Sequence, residues 1–264
     1  MILPLLSDNL TSMKRILHRV DTAGKEAGLL LNAKKTKVMH IKGNEATKSS
    51  HDVKINQVCL ENVNQFKYLG SIKTADGTCS KDITTRIAMA KQRMVKLLNI
   101  WKDRSIPVDL KLKILECLVW PVMLYGCETW TTKKAEEKKI EAAEMWFYRR
   151  LLRVSWKERR TNDSILKELG RDRKLLTIIC QKKLKYVGHA SRNTQTDLMK
   201  TVLQGKVQSK RKQGRPAASY ISSLKSIGLT QQIISKESRD RERWRRIVHS
   251  PCVAANIDID DAAR

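Results

Sequence analysis

Residues 81–100, KDITTRIAMAKQRMVKLLNI, carry the change in apolar period that decides the fold class. Their apolar side chains recur every three or four positions, which predicts an amphipathic α-helix. The expected buried stripe is Ile83, Ile87, Ala90, Met94, Leu97 and Leu98. The other faces are expected to be open and basic, with Lys81, Arg86, Lys91, Arg93 and Lys96. Because the helical period continues beyond this stretch, most of the chain is predicted to be α-helical.

The residues before this helix are predicted to form one helix and a set of short strands. Asn9, Thr11 and Ser12 are the candidate caps of the first helix, which is predicted to end at Gly24 to Gly28. Residues 29–31 predict an apolar strand, and residues 37–41 predict a second strand after a basic turn.

The alternation from Val53 to Lys73 predicts two or three further strands. Tight turns are expected at Asn56-Gln57 and at Glu61-Asn62. Residues 75–78 supply the turn that ends the β region.

Several helices are predicted between residue 107 and the C-terminus. Pro107 is expected to open one of them, and Pro121 to break or kink it. Thr131 or Thr132 is the expected cap of the next helix, whose predicted buried stripe is Ile140, Phe147 and Leu151. The remaining helices are predicted from Asn162 to Gly170, from Lys174 to Gly188 and over about residues 231–249.

The fold class predicted from these elements is α+β, mostly α. A small α/β piece with hairpins covers residues 1–75, and a basic helical bundle covers residues 80–200. A basic linker at residues 204–216 then leads to a helical extension at residues 217–264. No internal repeat is visible.

The net charge of +26, from 53 basic and 27 acidic residues, points to a polyanionic partner. Such a charge repels itself in a compact fold unless a polyanion neutralises it. The alternative is a basic protein with no particular partner. No apolar run is long enough to span a membrane, and Met1–Leu6 is too short for a signal peptide, so an intracellular location is expected.

The six cysteines are scattered and include no CxxC pair, which indicates reduced thiols. Zinc binding is the alternative, with His249 and Cys252, or Cys180 and His189, each offering two ligands of an incomplete set.

Motifs of catalysis are missing from the sequence. The adjacent carboxylates Asp260/Asp261 and Glu136/Glu137 are both expected to be solvated charges. No glycine loop for phosphates, no GxSxG and no HExxH occurs.

Binding features are more prominent. Lys34-Lys35-Thr36-Lys37 places three ammonium groups at a turn, where they either meet phosphate or are simply solvated. Most of the six tryptophans are expected in the core, with one or two available to stack on bases. Gly214-Arg215-Pro216 is either a minor-groove arm or part of a basic linker.

Several stretches of the chain resemble, in order and spacing, the reverse transcriptases of LINE-type, jockey-like non-LTR retrotransposons. They are GLLLNAKKTKVM at 28–39, FKYLGS at 66–71, PVMLYGCETW at 121–130, LKYVGHASR at 184–192, GRP at 214–216 and DRERWRRIV at 240–248.

The resemblance implies that residues 1–75 are the end of a palm with its primer-grip hairpin, and that residues 80–200 are thumb-like. The family activity is RNA-directed DNA synthesis with Mg²⁺. In the family, a Tyr-Ala-Asp-Asp strand with metal-binding aspartates precedes the segment that matches Met1. We therefore expect this chain alone to be inactive as a polymerase and to hold no cofactor.

The resemblance also implies roles for individual residues. Lys35, with Lys34 as the alternative register, matches a lysine proposed to protonate the departing pyrophosphate. The primer grip matches residues 66–70, and the helix from Ile83 to Ile100 matches one that lies along an RNA/DNA hybrid. The expected nucleic-acid contacts are Lys34, Lys37, Phe66, Lys67, Tyr68, Gly70, Arg86, Lys91, Arg93, Lys96 and Arg215.

Three hypotheses follow for the function. The first is a fragment of a retrotransposon polymerase that retains binding to an RNA/DNA template-primer. The second is a stand-alone basic protein that binds nucleic acid or another partner, and the third is a translated relic without a role. The family, together with Lys210-Arg211-Lys212, implies a nuclear location.

Overall fold

The computed structural model describes residues 3–41, 53–55, 57–192, 220, 224, 229 and 231–249. The chain divides into two compact units, residues 1–81 and residues 82–264. The predicted α+β, mostly α fold class is confirmed, because the strands are few and short while the helices make up most of the described chain.

The first unit combines one helix with three pairs of short strands. Helix α1 spans Leu10–Glu26, and of the three candidate caps it is Asn9 that caps it, with its Oδ1 accepting the Ser12 N–H at 2.8 Å. The strands are β1 (Lys37–Val38), β2 (Lys54–Ile55), β3 (Val58–Cys59), β4 (Glu61–Asn62), β5 (Gln65–Tyr68) and β6 (Ser71–Thr74). A small core joins helix and strands through Leu17, Val53, Ile55 and Leu60.

Two predictions for this unit are wrong. Leu29 and Leu30 do not form a strand and are 60% and 80% exposed. Glu61-Asn62 is not a turn but strand β4, which pairs in parallel with β1. The chain stays extended there because the Leu60 N–H bonds to the Val53 carbonyl and the Val63 N–H bonds to the Val38 carbonyl, both at 2.8 Å.

The two antiparallel pairs are hairpins. Strands β2 and β3 pair Lys54 with Cys59 around the predicted turn, in which Gln57 has a φ of 68°. Strands β5 and β6 pair Tyr68 with Ser71, and the turn expected at residues 75–78 follows β6.

The second unit is helical. Its helices are α2 (Ser80–Lys96), α3 (Leu98–Lys102), α4 (Val108–Ile114), α5 (Trp120–Met123), α6 (Lys134–Leu152), α7 (Asn162–Leu169), α8 (Leu175–Arg192), α9 (Gln231–Glu237) and α10 (Arg241–His249). Helix α2 begins two residues before this unit. Short 3₁₀ turns lie at Cys127–Thr129 and Trp156–Glu158.

Pro121 perturbs its helix in a specific way. Helices α4 and α5 are joined by a π-helical turn, Leu115–Val119, in which the Trp120 N–H bonds to the carbonyl of Leu115. Proline lacks an N–H and crowds the carbonyl four residues earlier, and a wider turn relieves both effects. The helix is therefore locally widened rather than ended.

Several predicted helix boundaries are corrected. The residue capping α6 is Lys133, whose N–H donates to the carboxylate of Glu136 at 2.8 Å, so Glu136 is buried and not solvated. Helix α7 is capped by Thr161 rather than Asn162. The single helix expected at 231–249 is two helices, because the Asp240 carboxylate accepts the N–H groups of the second one.

The core of the second unit contains most of the tryptophans, as predicted. Trp101, Trp120, Trp130 and Trp244 are all buried. The indole N–H of Trp101 donates to the Met94 carbonyl at 2.8 Å, which fastens α3 to α2.

A buried carboxylate joins α6 to α8. Glu144 is fully buried, and its Oε1 accepts the Lys174 N–H at 2.7 Å and the Tyr148 hydroxyl at 2.8 Å. Its two oxygens also accept the N–H of Leu175 at 3.3 Å. Burial raises the pKa of Tyr148, and the nearby Glu144 carboxylate raises it further. Glu144 thus serves as the cap of a helix on a different segment.

Candidate nucleic-acid interface

Helix α2 presents a face without acidic side chains. Its one carboxylate, Asp82, is buried and accepts the indole N–H of Trp130 at 2.9 Å. Elsewhere on the surface of the same helix, Lys81, Arg93 and Lys96 are exposed. A polyanion approaching this face would meet cations without a competing carboxylate of the same helix.

Arg86 does not belong to that face, although the sequence predicted it there. It is 6% exposed, and its guanidinium carbon lies 4.4 Å from the centre of the Tyr125 ring. Such a stack is a cation–π contact, and it packs α2 against the segment after α5. Lys91 lies between the exposed cations and the buried Arg86, because its side chain is half-buried and its Nζ is 5.2 Å from the centre of the Trp146 ring.

The expected primer grip is the hairpin of β5 and β6. Its two-residue turn is Leu69-Gly70, with φ values of 47° and 81°. Positive φ at both positions is typical of a type I′ turn, which fits the twist of a two-stranded ribbon. Phe66 and Tyr68 are half-buried on one face, and Lys67 is exposed on the other.

The lysines in the basic turn at residues 33–36 and directly after it differ in their exposure and pairing. Lys34 and Lys35 are exposed, and the Lys35 N–H donates to Asn32 Oδ1 at 3.1 Å. Lys37 forms an ion pair with Glu61 across the β1–β4 pair, which draws its charge away from a ligand.

Metal ligands do not gather in the described ranges, where no three His, Cys, Asp or Glu side chains come together. The Mg²⁺ that the resemblance implies for the complete enzyme therefore has no fitting ligand set among these residues.

For the zinc alternative, Cys180 is half-buried with its pKa raised by burial to about 11, while His189 is exposed. Cys252, Arg215 and the linker at 204–216 lie outside the described residues.

The stretch PVMLYGCETW at 121–130 packs other elements together. Tyr125 stacks on Arg86, Trp130 bonds Asp82, and the Glu128 carbonyl accepts the hydroxyl of Tyr220 at 2.6 Å. Cys127 is buried between them, and burial raises its pKa to about 12.

The stretches at 184–192 and 240–248 bind each other. The indole N–H of Trp244 donates to the Leu184 carbonyl at 3.0 Å, and Gly188 leaves the room for that indole. Arg192 reaches the Ser238 carbonyl at 2.9 Å, at the end of α9. These stretches thus hold the extension on α8.

One feature escaped the sequence reasoning, namely the basic outer sides of α8 and α10. On α8, Lys182, Lys185 and His189 are exposed and the helix contains no Asp or Glu. On α10, Arg241, Arg245 and Arg246 are exposed. The sequence did offer a signal for this basic side, namely the helical spacing of the arginines around Trp244.

Comparison with known proteins gives one relative of note. An uncharacterized transposon-derived protein of Caenorhabditis elegans is 22% identical over 191 residues, which cover 71% of this chain and 68% of the relative. No protein-family model matches the chain. No solved structure matches it significantly. The likeness suggests a transposon origin.

None of the helices that the structure describes is both long and apolar enough to cross a membrane.

Proposed function

We propose that this chain binds nucleic acid as a segment derived from a non-LTR retrotransposon reverse transcriptase, with α2 lying along an RNA/DNA template-primer. The similarity to a transposon-derived protein supports the origin, and the net charge of +26 supports a polyanionic partner. Nuclear action belongs to the same proposal.

The observation that carries the proposal is the burial of Asp82. Trp130 holds this carboxylate inside the second unit, so the exposed side of α2 keeps its cations and loses its one acid. Phosphate contacts by Lys and Arg release counterions, and each contributes about 0.9 to the slope of log affinity against log salt. Such contacts grip the backbone and leave base identity unread.

The hairpin is the second element of the proposal and belongs to the first unit. Its turn brings the backbone of Gly70 to the surface, and Lys67 adds an exposed cation. A glycine at a hairpin tip permits close approach of another backbone. The synthesis of DNA is not proposed, because the sequence contains no Tyr-Ala-Asp-Asp.

The test is fluorescence anisotropy of a labelled RNA–DNA hybrid titrated with the whole chain at several NaCl concentrations. Arg93→Gln/Lys96→Gln should weaken binding and lower the salt slope by about 2, because each phosphate contact contributes about 0.9. The matched control is Lys138→Gln/Lys139→Gln, which removes two exposed charges from α6. Equal affinity and slope in both variants would contradict the assignment to α2.

A further inference from the structure

Helix α10, the turn before it and the end of α9 carry a dense group of exposed basic side chains. They are Lys236, Arg239, Arg241, Arg243, Arg245 and Arg246. The guanidinium group is planar, always charged and suited to bidentate contact with phosphate.

The carboxylates close to this group are mostly engaged, one of them with an arginine of the group itself. Glu237 pairs with Arg243 at 2.6 Å. Asp240 accepts the N–H groups of Glu242 and Arg243 at the start of α10, and these bonds hold its pKa below the usual value. Among the residues that the structure describes, Arg239, Arg241 and Arg245 have no carboxylate within ion-pair distance, and Glu242 is the one acid within α10 itself.

The arginines stand on a rigidly held helix. Trp244 and Val248 are 3% and 1% exposed and pack on Leu184 and Val187 of α8. The indole N–H of Trp244 is fixed on the Leu184 carbonyl. Rigid presentation reduces the entropy lost when the side chains bind a ligand.

Helix α8, on which α10 is packed, is basic as well. It contains no acidic residue, and Lys182, Lys185 and His189 are exposed along it. With Arg243 set aside as paired, the two packed helices therefore expose seven basic side chains to solvent, and Arg239 adds another just before α10. The seven are Arg241, Arg245, Arg246, His249, Lys182, Lys185 and His189.

We infer that the exposed sides of α8 and α10 form a second binding surface for the phosphate backbone of nucleic acid, separate from the one proposed on α2. On this inference, the C-terminal extension that contains α10 binds a further stretch of nucleic acid through phosphate contacts. An arginine-rich surface without Trp, Tyr or Phe in its exposed set favours backbone contact over base recognition.

The experiment uses the whole chain and the labelled hybrid described above, together with a labelled DNA duplex. Arg241→Gln/Arg245→Gln/Arg246→Gln removes three exposed charges from α10, and Lys134→Gln/Lys138→Gln/Lys139→Gln removes three from α6 as the matched control. We expect the α10 variant to bind at least about tenfold more weakly at 150 mM NaCl, with a salt slope lower by about 3. The control should lose much less, and thermal unfolding should show all variants equally folded.

The outcomes separate this inference from the proposed function. Weakening by the α10 variant alone supports the second surface and contradicts the role of α2. Weakening by Arg93→Gln/Lys96→Gln alone overturns the second surface and keeps α2. Weakening by both supports both, and an α10 variant that matches its control means that these arginines serve another partner and the inference is wrong.

Discussion

The indole of Trp244 lies against Gly188, so that a Cβ at residue 188 would stand 2.1 Å from Trp244 Nε1 and 2.4 Å from Cδ1. That Nε1 donates to the carbonyl of Leu184, one turn earlier on α8. The missing side chain of Gly188 is thus the condition under which α10 packs on α8. The arginines of α10 depend on this contact for their position.

Gly188→Ala should destabilise the second unit by about 1–3 kcal/mol, the usual range for overpacking a core. The added methyl group would overlap the buried indole of Trp244, whose shift would strain its hydrogen bond to the Leu184 carbonyl. Urea unfolding measures the change. His189→Ala, at the exposed neighbouring position, is the control and should stay within about 0.5 kcal/mol of the original protein. Equal stability of the two variants would contradict the packing described.

Glu144→Gln should lower the free energy of unfolding by about 2 kcal/mol, the magnitude typical of hydrogen bonds to a charged group. The amide keeps the size of the side chain but replaces an acceptor oxygen with a donor opposite the N–H groups of Lys174 and Leu175. Chemical denaturation is again the measurement. Glu141→Gln on the same helix, half-exposed and 3.4 Å from Arg173, should cost far less.

Leu69→Asn should stabilise the β5–β6 hairpin by up to about 1 kcal/mol. A left-handed backbone costs an ordinary residue about 1–2 kcal/mol, and Asn-Gly is the pair that type I′ turns prefer. Slower amide hydrogen exchange in β5 and β6 would report the gain. The same change at Val58, 52% exposed on strand β3, should bring no stabilisation. Faster exchange in Leu69→Asn would speak against the turn geometry.

The buried thiols should resist alkylation. Burial raises the pKa of Cys127 to about 12 and that of Cys180 to about 11, from 9.0, so both remain protonated at pH 8. The exposed Cys59 and Cys117 should react first with iodoacetamide, as mass spectrometry of the digested protein can show.

The same shifts affect stability at high pH. The unfolded chain loses these protons above pH 9 while the folded chain keeps them, so their contribution is complete below pH 9 and lost towards pH 12. Cys127→Ala should reduce that alkaline loss of stability, and an unchanged pH profile would contradict the burial of the thiol.

Periodicity predicted the helical part of the fold well. The stripe of α6, a cap of α1 among the three candidates and the burial of most tryptophans follow from spacing and size, and the structure confirms them. Errors concentrate where tertiary pairing decides, as at Glu61-Asn62, which is drawn into a parallel ladder with β1. No local signal distinguishes such a strand from a turn.

The candidate site was harder to predict than the fold. Arg86 was predicted to be a surface cation because no local feature of the sequence indicates its stacking partner. That partner, Tyr125, lies 39 positions away in sequence. Asp82 is buried by a partner 48 residues distant, and its burial is what frees the face of α2. Composition indicated a polyanion, but only the contacts show which cations remain exposed.

The most direct test of the central claim is lysine footprinting of the whole chain with and without the RNA–DNA hybrid. Acetylation by a water-soluble reagent, quantified by mass spectrometry, compares Lys96 of α2 with Lys138 and Lys139 of α6, all of which are exposed. The account predicts that the hybrid protects Lys96 severalfold and leaves the two α6 lysines unchanged. Equal acetylation of Lys96 with saturating hybrid bound would contradict the claim that α2 holds nucleic acid.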